Sequence, residues 1–142
     1  MKNIIIFFLF IISTACNHDP IIINYGKDNC DFCKMTIMEE KYSAQCISKK
    51  GKTYRFDDVH CLISFLHNGG VWSNEIERIY FSDFKKNGNW VQPENSFFLK
   101  SDLINSPMGG NYAVFSSEAD RSDADKQYKG EKLAWDDIKS KK

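Results

Sequence analysis

Twice in this chain an apolar strand closes on a phenylalanine and runs straight into side chains that start helices. Phe56 is followed by Asp57-Asp58, and Phe115 by Ser116-Ser117-Glu118. Asp and Ser cap helices well, because their side-chain oxygens accept from amides that the first turn leaves unpaired. The two junctions keep similar company. Residues 42–48 read as a strand of mixed alternation, 49–52 as a polar turn containing Gly51, and 53–56 as the returning strand. Cys61, Leu62, Phe65 and Leu66 are then spaced as one buried helical stripe, which Asn68-Gly69-Gly70 ends. Residues 76–81 form the next strand. Around the second junction, 95–100 and 112–115 read as strands and 117–128 as a polar, exposed helix stopped by Gly130. Residues 132–135 read as the last strand, and Asp136-Asp137-Ile138 echoes Ser82-Asp83-Phe84. The expected fold is α+β: two similar ββαβ units, about 25–91 and 92–139, packed as one small domain.

The N-terminus carries a different message. Residues 4–12 are an unbroken apolar run behind Lys2. That is too short to span a bilayer, which takes ~20 apolar residues, but it suits the core of a signal peptide. Ser13-Thr14-Ala15-Cys16 follows and resembles a bacterial lipobox, with Ser13 where Leu is usual. Residues 1–15 are therefore expected to be a lipoprotein signal peptide. Cys16 is the expected lipidation site, 16–24 a lipid-anchored tether on which the domain swings clear, and 25–139 the folded part. The expected location is a membrane facing the periplasm, inner or outer undetermined. An ordinary signal peptide with an incidental cysteine is the plainer alternative. Net formal charge is zero and no basic patch stands out, which argues against nucleic acid as a partner.

Cys30-Asp-Phe-Cys33-Lys-Met35 places two thiols and a thioether within six positions. Soft sulfur donors select Cu(I) over hard cations, so an exported sulfur cluster is first a copper site. Three protein donors or fewer would leave room for an acceptor to take the ion, which suits a carrier rather than a storage site, and no enzyme activity is expected. Thiol–disulfide exchange by Cys30 and Cys33 is the main alternative. It wants a helix start beneath the first cysteine to lower its pKa, and no helix cap is evident here. Structural zinc wants four ligands, which Cys46, Cys61 or His60 would have to complete at an unfamiliar spacing. A plain Cys30–Cys33 disulfide also fits an oxidising compartment. Cys46 and Cys61 read first as small buried hydrophobes, with a disulfide between them as the alternative. His60 reads as a surface residue and Met38 as packing. Met108, in the irregular loop Ser106-Pro-Met-Gly-Gly110, either fills a gap under a turn or closes over the cluster.

Taken together, Cys30-Asp-Phe-Cys33-Lys-Met35-Thr-Ile37, Ala44-Gln45, Phe56-Asp57-Asp58, Ser106-Pro-Met-Gly-Gly110 and the run from Ala113 to Ala119 resemble the NosL family of nitrous oxide reductase accessory lipoproteins. The resemblance spans nearly all of the mature chain. One departure is Lys34, where Gly is commoner. The resemblance implies a periplasm-facing chaperone that delivers Cu(I) for the copper centres of nitrous oxide reductase. It also implies docking to an assembly partner linked to a membrane transporter. Carried over by position, Cys30, Cys33 and Met35 form the metal site, with Met108 as the best further ligand. A monomer and a weak homodimer are both compatible with it.

Overall fold

In the computed structural model, residues 18–68 and 73–140 are described. Strand β1 (Ala44–Ser48) turns through Gly51, whose φ of 80° is the left-handed conformation that glycine adopts without strain, into β2 (Thr53–Phe56). The pair is antiparallel, with Ala44 opposite Phe56 and Cys46 opposite Tyr54. Helix α1 (Val59–Asn68) starts on Asp58, whose Oδ1 accepts from the Cys61 amide at 3.0 Å. Of its predicted stripe, Cys61, Leu62 and Phe65 are buried and Leu66 is partly buried, and Ile63 is buried as well. Strand β3 (Ile76–Ser82) pairs with the other side of β1, and a two-residue β4 (Trp90–Val91) follows on its outer edge, giving the order β2-β1-β3-β4.

The second half repeats this plan. Strands β5 (Phe97–Lys100) and β6 (Tyr112–Phe115) lead into α2 (Glu118–Tyr128), then β7 (Glu131–Leu133) and a short α3 (Trp135–Lys139). The order β6-β5-β7 matches β2-β1-β3, and all pairs are antiparallel. Ser117 caps α2 by accepting from the Asp120 amide, as Asp58 caps α1. The two ββαβ units expected from the sequence are therefore present.

The differences lie at element ends. The first strand begins at Ala44 because Glu40–Tyr42 forms a 3-10 turn, and β5 begins at Phe97 because Pro93 opens another. The last strand stops at Leu133 because Asp137 Oδ2 takes the Ala134 amide at 2.8 Å and starts α3. Gly130 does not itself end α2. Lys129 makes the left-handed turn at φ 46°, and Gly130 is needed for a close approach, since a Cβ there would sit 2.5 Å from the Lys100 carbonyl oxygen.

The units stack. The helix-bearing face of the first sheet meets the helix-free face of the second where Phe81 and Phe98 pack edge to face, ring centroids 5.1 Å apart, with Trp135 against both. Phe56, Phe65, Phe81, Phe98, Cys46 and Cys61 belong to this main core. Leu99, Ala113 and Phe115 face the other way, toward Ala124 of α2. Strand β1 is buried along its whole length. Its outward residues are covered by the segment that the sequence assigned to a tether. Ile21 donates its amide to Gln45 Oε1 at 3.0 Å and accepts from Gln45 Nε2 at 3.1 Å, while Tyr80 donates to the His18 carbonyl at 3.0 Å. Ile23 is buried in the main core. Residues 18–24 are therefore a strap laid on the domain. Cys16 and the expected signal peptide lie outside the described residues.

Candidate functional site

The strap delivers the chain to the β2 edge, where residues 24–37 form a compact turn. Asp28 and Asp31 fasten it to the edge strand. Asp28 pairs with Arg55 at 2.9 Å, the Asp31 amide donates to the Arg55 carbonyl at 2.7 Å, and the Arg55 amide donates to Asp31 Oδ2 at 2.7 Å. Within the turn the Cys30 amide donates to the Met35 carbonyl at 2.8 Å and the Lys34 amide to the Cys30 carbonyl at 3.1 Å. Closing so tight a loop forces Lys34 to φ 67°. That explains why glycine suits this position: a side chain there carries a steric cost of about 1 kcal/mol or more. Lys34 offsets part of it by donating Nζ to the Asp31 carbonyl at 2.6 Å.

The turn brings Cys30 and Cys33 together, and α1 adds a third thiol. The Sγ atoms of Cys30, Cys33 and Cys61 all lie within 4.8 Å of one another. Cys61 occupies the first turn of α1 because Asp58 caps that turn, so the Asp57-Asp58 pair that starts the helix also aims its thiol. Cys30 and Cys61 are buried, whereas Cys33 is half-exposed and is the open side of the group. All four described cysteines are free, and Cys46 is not one of the three, so the expected alternatives of a Cys30–Cys33 or Cys46–Cys61 disulfide are not what the structure contains. Among the described residues no fourth Cys, His, Asp or Glu joins the group.

The electrostatics of the three differ. The Cys61 thiol donates to Cys30, and the amides of Asp57, Cys33 and Phe32 also point at that sulfur. Against the cost of burial, these hold the Cys30 pKa down to about 5. Cys61, acting as donor to a neighbouring thiolate in a buried place, is pushed well up. Cys33 is raised by burial and by the nearby Cys30 charge, against a hydrogen bond from the Met35 amide. At neutral pH the group therefore holds one thiolate and two thiols. Hydrogen bonds from amides to sulfur stabilise the charged form before any ion arrives. Cys46, buried in β1, is raised to about 12. Asp57 is raised to about 6 by burial and by the Asp58 and Cys30 charges, and its Oδ1 is buried without a partner.

Of the other expected ligands, Met35 presents a side chain 58% exposed beside the half-exposed Cys33. Met108 comes from the second unit. Its amide donates to Asp58 Oδ2 at 3.1 Å, and Ser106 Oγ donates to the same oxygen at 2.8 Å, so its loop is fixed on the helix start that carries Cys61. Met108 is partly buried against the main core. The sequence reading places Cys61 first among buried hydrophobes and offers it as a ligand only in the zinc alternative. Its spacing from Cys30 is irregular, and its place on an apolar stripe looked like packing. The signal that could have found it is the capping Asp58 three residues earlier.

No curated protein matches the chain. The crystal structure of the copper chaperone NosL from Shewanella denitrificans shares the fold at a TM-score of 0.73, with 19% sequence identity over 84% of this chain and 95% of that one. The NosL family model matches residues 22–142, which take in the end of the strap, the thiol turn and both ββαβ units. The chain belongs to the NosL family.

Proposed function

We propose that this protein is a membrane-tethered, periplasm-facing carrier of Cu(I), and that its cargo matures the copper centres of nitrous oxide reductase. The observation that carries the metal part is the gathering of three thiol sulfurs within 4.8 Å, and the lowered Cys30 pKa, caused by the Cys61 thiol and nearby amides, supports it. Thiolates are the ligands that select Cu(I). The solved copper chaperone of the same fold supports the choice of ion, and family kinship supports the choice of target.

The mechanism is ligand exchange. Cys30 and Cys61 hold the ion from the buried side, and Cys33 and Met35 approach it from the open side. Met108 is a further donor on a loop fixed to the same helix start. A docked assembly protein offers competing soft donors at the open side, and the ion moves without release to water.

Titration of the reduced chain with Cu(I) against a chromophoric chelator tests this. Cys30→Ser and Cys61→Ser are each expected to weaken binding by more than the roughly 10–100-fold that loss of a supporting contact costs. Met35→Ala is expected to weaken it less. Unchanged affinity in both serine variants would refute the site. The rival reading, a thiol–disulfide oxidoreductase, draws on the depressed Cys30 pKa. It requires catalytic turnover of a disulfide substrate that Met35→Ala leaves intact.

A further inference from the structure

Each ββαβ unit has a sheet face that its own helix covers and one that it leaves bare. The bare face of the second sheet, with Phe98 and Val114, is covered by the first unit. The bare face of the first sheet carries Gln45, Ile47 and, opposite Gln45, Tyr80, all three buried. Its cover is the strap. His18 is held over β3 by Tyr80, Ile21 over β1 by Gln45, and Asp28 at β2 by Arg55. The strap therefore crosses β3 and β1 at successive anchor points, and the thiol turn that follows it is anchored on β2 at the sheet edge.

This placement limits where the chain before the strap can go. Cys16 is two residues from His18, and two residues of fully extended chain reach only about 7 Å. An acyl-bearing group at Cys16 must lie within that distance of the strap. The outer side of the strap carries the most exposed large apolar residue described, Ile22 at 85%, next to Ile21 at 39%. At the other end of the stack, beyond the second sheet, lies the polar helix α2. Packed layers are spaced by about 10 Å, so three spacings put α2 roughly 30 Å from the strap.

We propose that the outer side of residues 18–24 is a membrane-contact surface. A phospholipid bilayer lies directly against it, with Ile21 and Ile22 in the interface and α2 turned away. The domain is held in one orientation and does not swing on a tether. The thiol turn, at the edge of the sheet under the strap, stays near the bilayer surface, within reach of an acceptor that is itself held at the membrane. This proposal rests on the reading of Cys16 as a lipidated residue.

The test uses the full chain as processed by the cell, reconstituted into phosphatidylethanolamine–phosphatidylglycerol vesicles with or without bromine in the acyl chains. Ile22→Trp and Gln127→Trp each add a fluorophore at an exposed position, one on the strap and one on α2. Emission is read as the difference from the parent. The tryptophan introduced at position 22 should lose about half its emission or more in brominated vesicles, as an interfacial side chain does, while the one introduced at position 127 should be unchanged. Equal quenching at both positions, or none at either, with mass spectrometry confirming the acyl group, overturns the orientation and leaves the anchor standing. A Cys16 that mass spectrometry finds without lipid defeats the anchor itself, and this proposal with it.

Discussion

Asp58 is 1% exposed and its carboxylate accepts three hydrogen bonds, one from its own unit and two from the second. Oδ1 accepts from the Cys61 amide, and Oδ2 accepts from Ser106 Oγ and the Met108 amide. Replacing it by alanine removes a helix cap, which costs about 1 kcal/mol. It also orphans the buried Ser106 hydroxyl and the part-buried Met108 amide, at about 1–3 kcal/mol each. Ser106 falls at the low end, because its hydroxyl can rotate and still accepts from the Asn111 amide at 2.8 Å. Asp58→Ala should therefore cost about 3–5 kcal/mol, a large share of the ~5–15 kcal/mol that a domain has. Asp58→Asn keeps an oxygen for the Cys61 amide and can donate to Ser106, but it sets a donor against the Met108 amide. Its cost should be about 1–3 kcal/mol. Urea unfolding of the reduced protein measures both, through the midpoint at constant m-value. In both variants the Cys61 thiol should also react faster with an alkylating reagent, because its helix start is loosened. The reasoning is refuted if Asn costs as much as Ala, or if Ala costs under about 1 kcal/mol.

Two further expectations follow from the thiol turn. Thiolate ultraviolet absorbance of the reduced, metal-free chain should show one ionised thiol near neutral pH, lost as the pH falls through about 5. Because the folded pKa lies below the ordinary thiol value, the stability that Cys30 contributes is present above that ordinary value and lost on the acid side. Cys61→Ala removes the chief hydrogen bond and should move the titration up; a curve identical to the parent's would sink that assignment. Lys34→Gly should stabilise the fold by about 0.5–1 kcal/mol, the relief of a left-handed side chain less the extra unfolded-state entropy of glycine. A thermal midpoint lowered by the change would show that the Lys34–Asp31 contact outweighs the strain.

The repeated units were legible because local chemistry and tertiary need agree there. Thr53–Phe56 and Tyr112–Phe115 are strands over the residues their composition predicts, and the caps after them fall where Asp58 and Ser117 stand. Residues 18–24 were not legible, since nothing local makes a polar-flanked triplet of isoleucines into a cover. It becomes one because Gln45, two places into a central strand, offers both an acceptor and a donor for one backbone unit. The continuous burial of β1 has the same origin, a core on one side and the strap on the other. Cys61 was hidden for a related reason. A cysteine on an apolar helical stripe is indistinguishable from packing until a second chain segment brings its partners to it.

The two units share a topology but divide the labour of the site. All three gathered thiols belong to the first unit, and α2 has Asp120 and Arg121 in its first turn where α1 has Cys61 and Leu62. The compensating difference is in the hairpins. The first unit joins its strands by a short turn at residues 49–52, whereas the second opens the same connection into residues 101–111. That longer loop reaches back to the first unit. Ser106 and Met108 bond Asp58, and Gly110 lies so close to α1 that a Cβ there would sit 2.6 Å from His60 Cβ. A hairpin loop needs no such contact for its own stability. These contacts brace the helix start that carries Cys61. The duplicated unit therefore supports the first by holding its thiol helix at a fixed angle, and it places one more thioether on the element that does the holding.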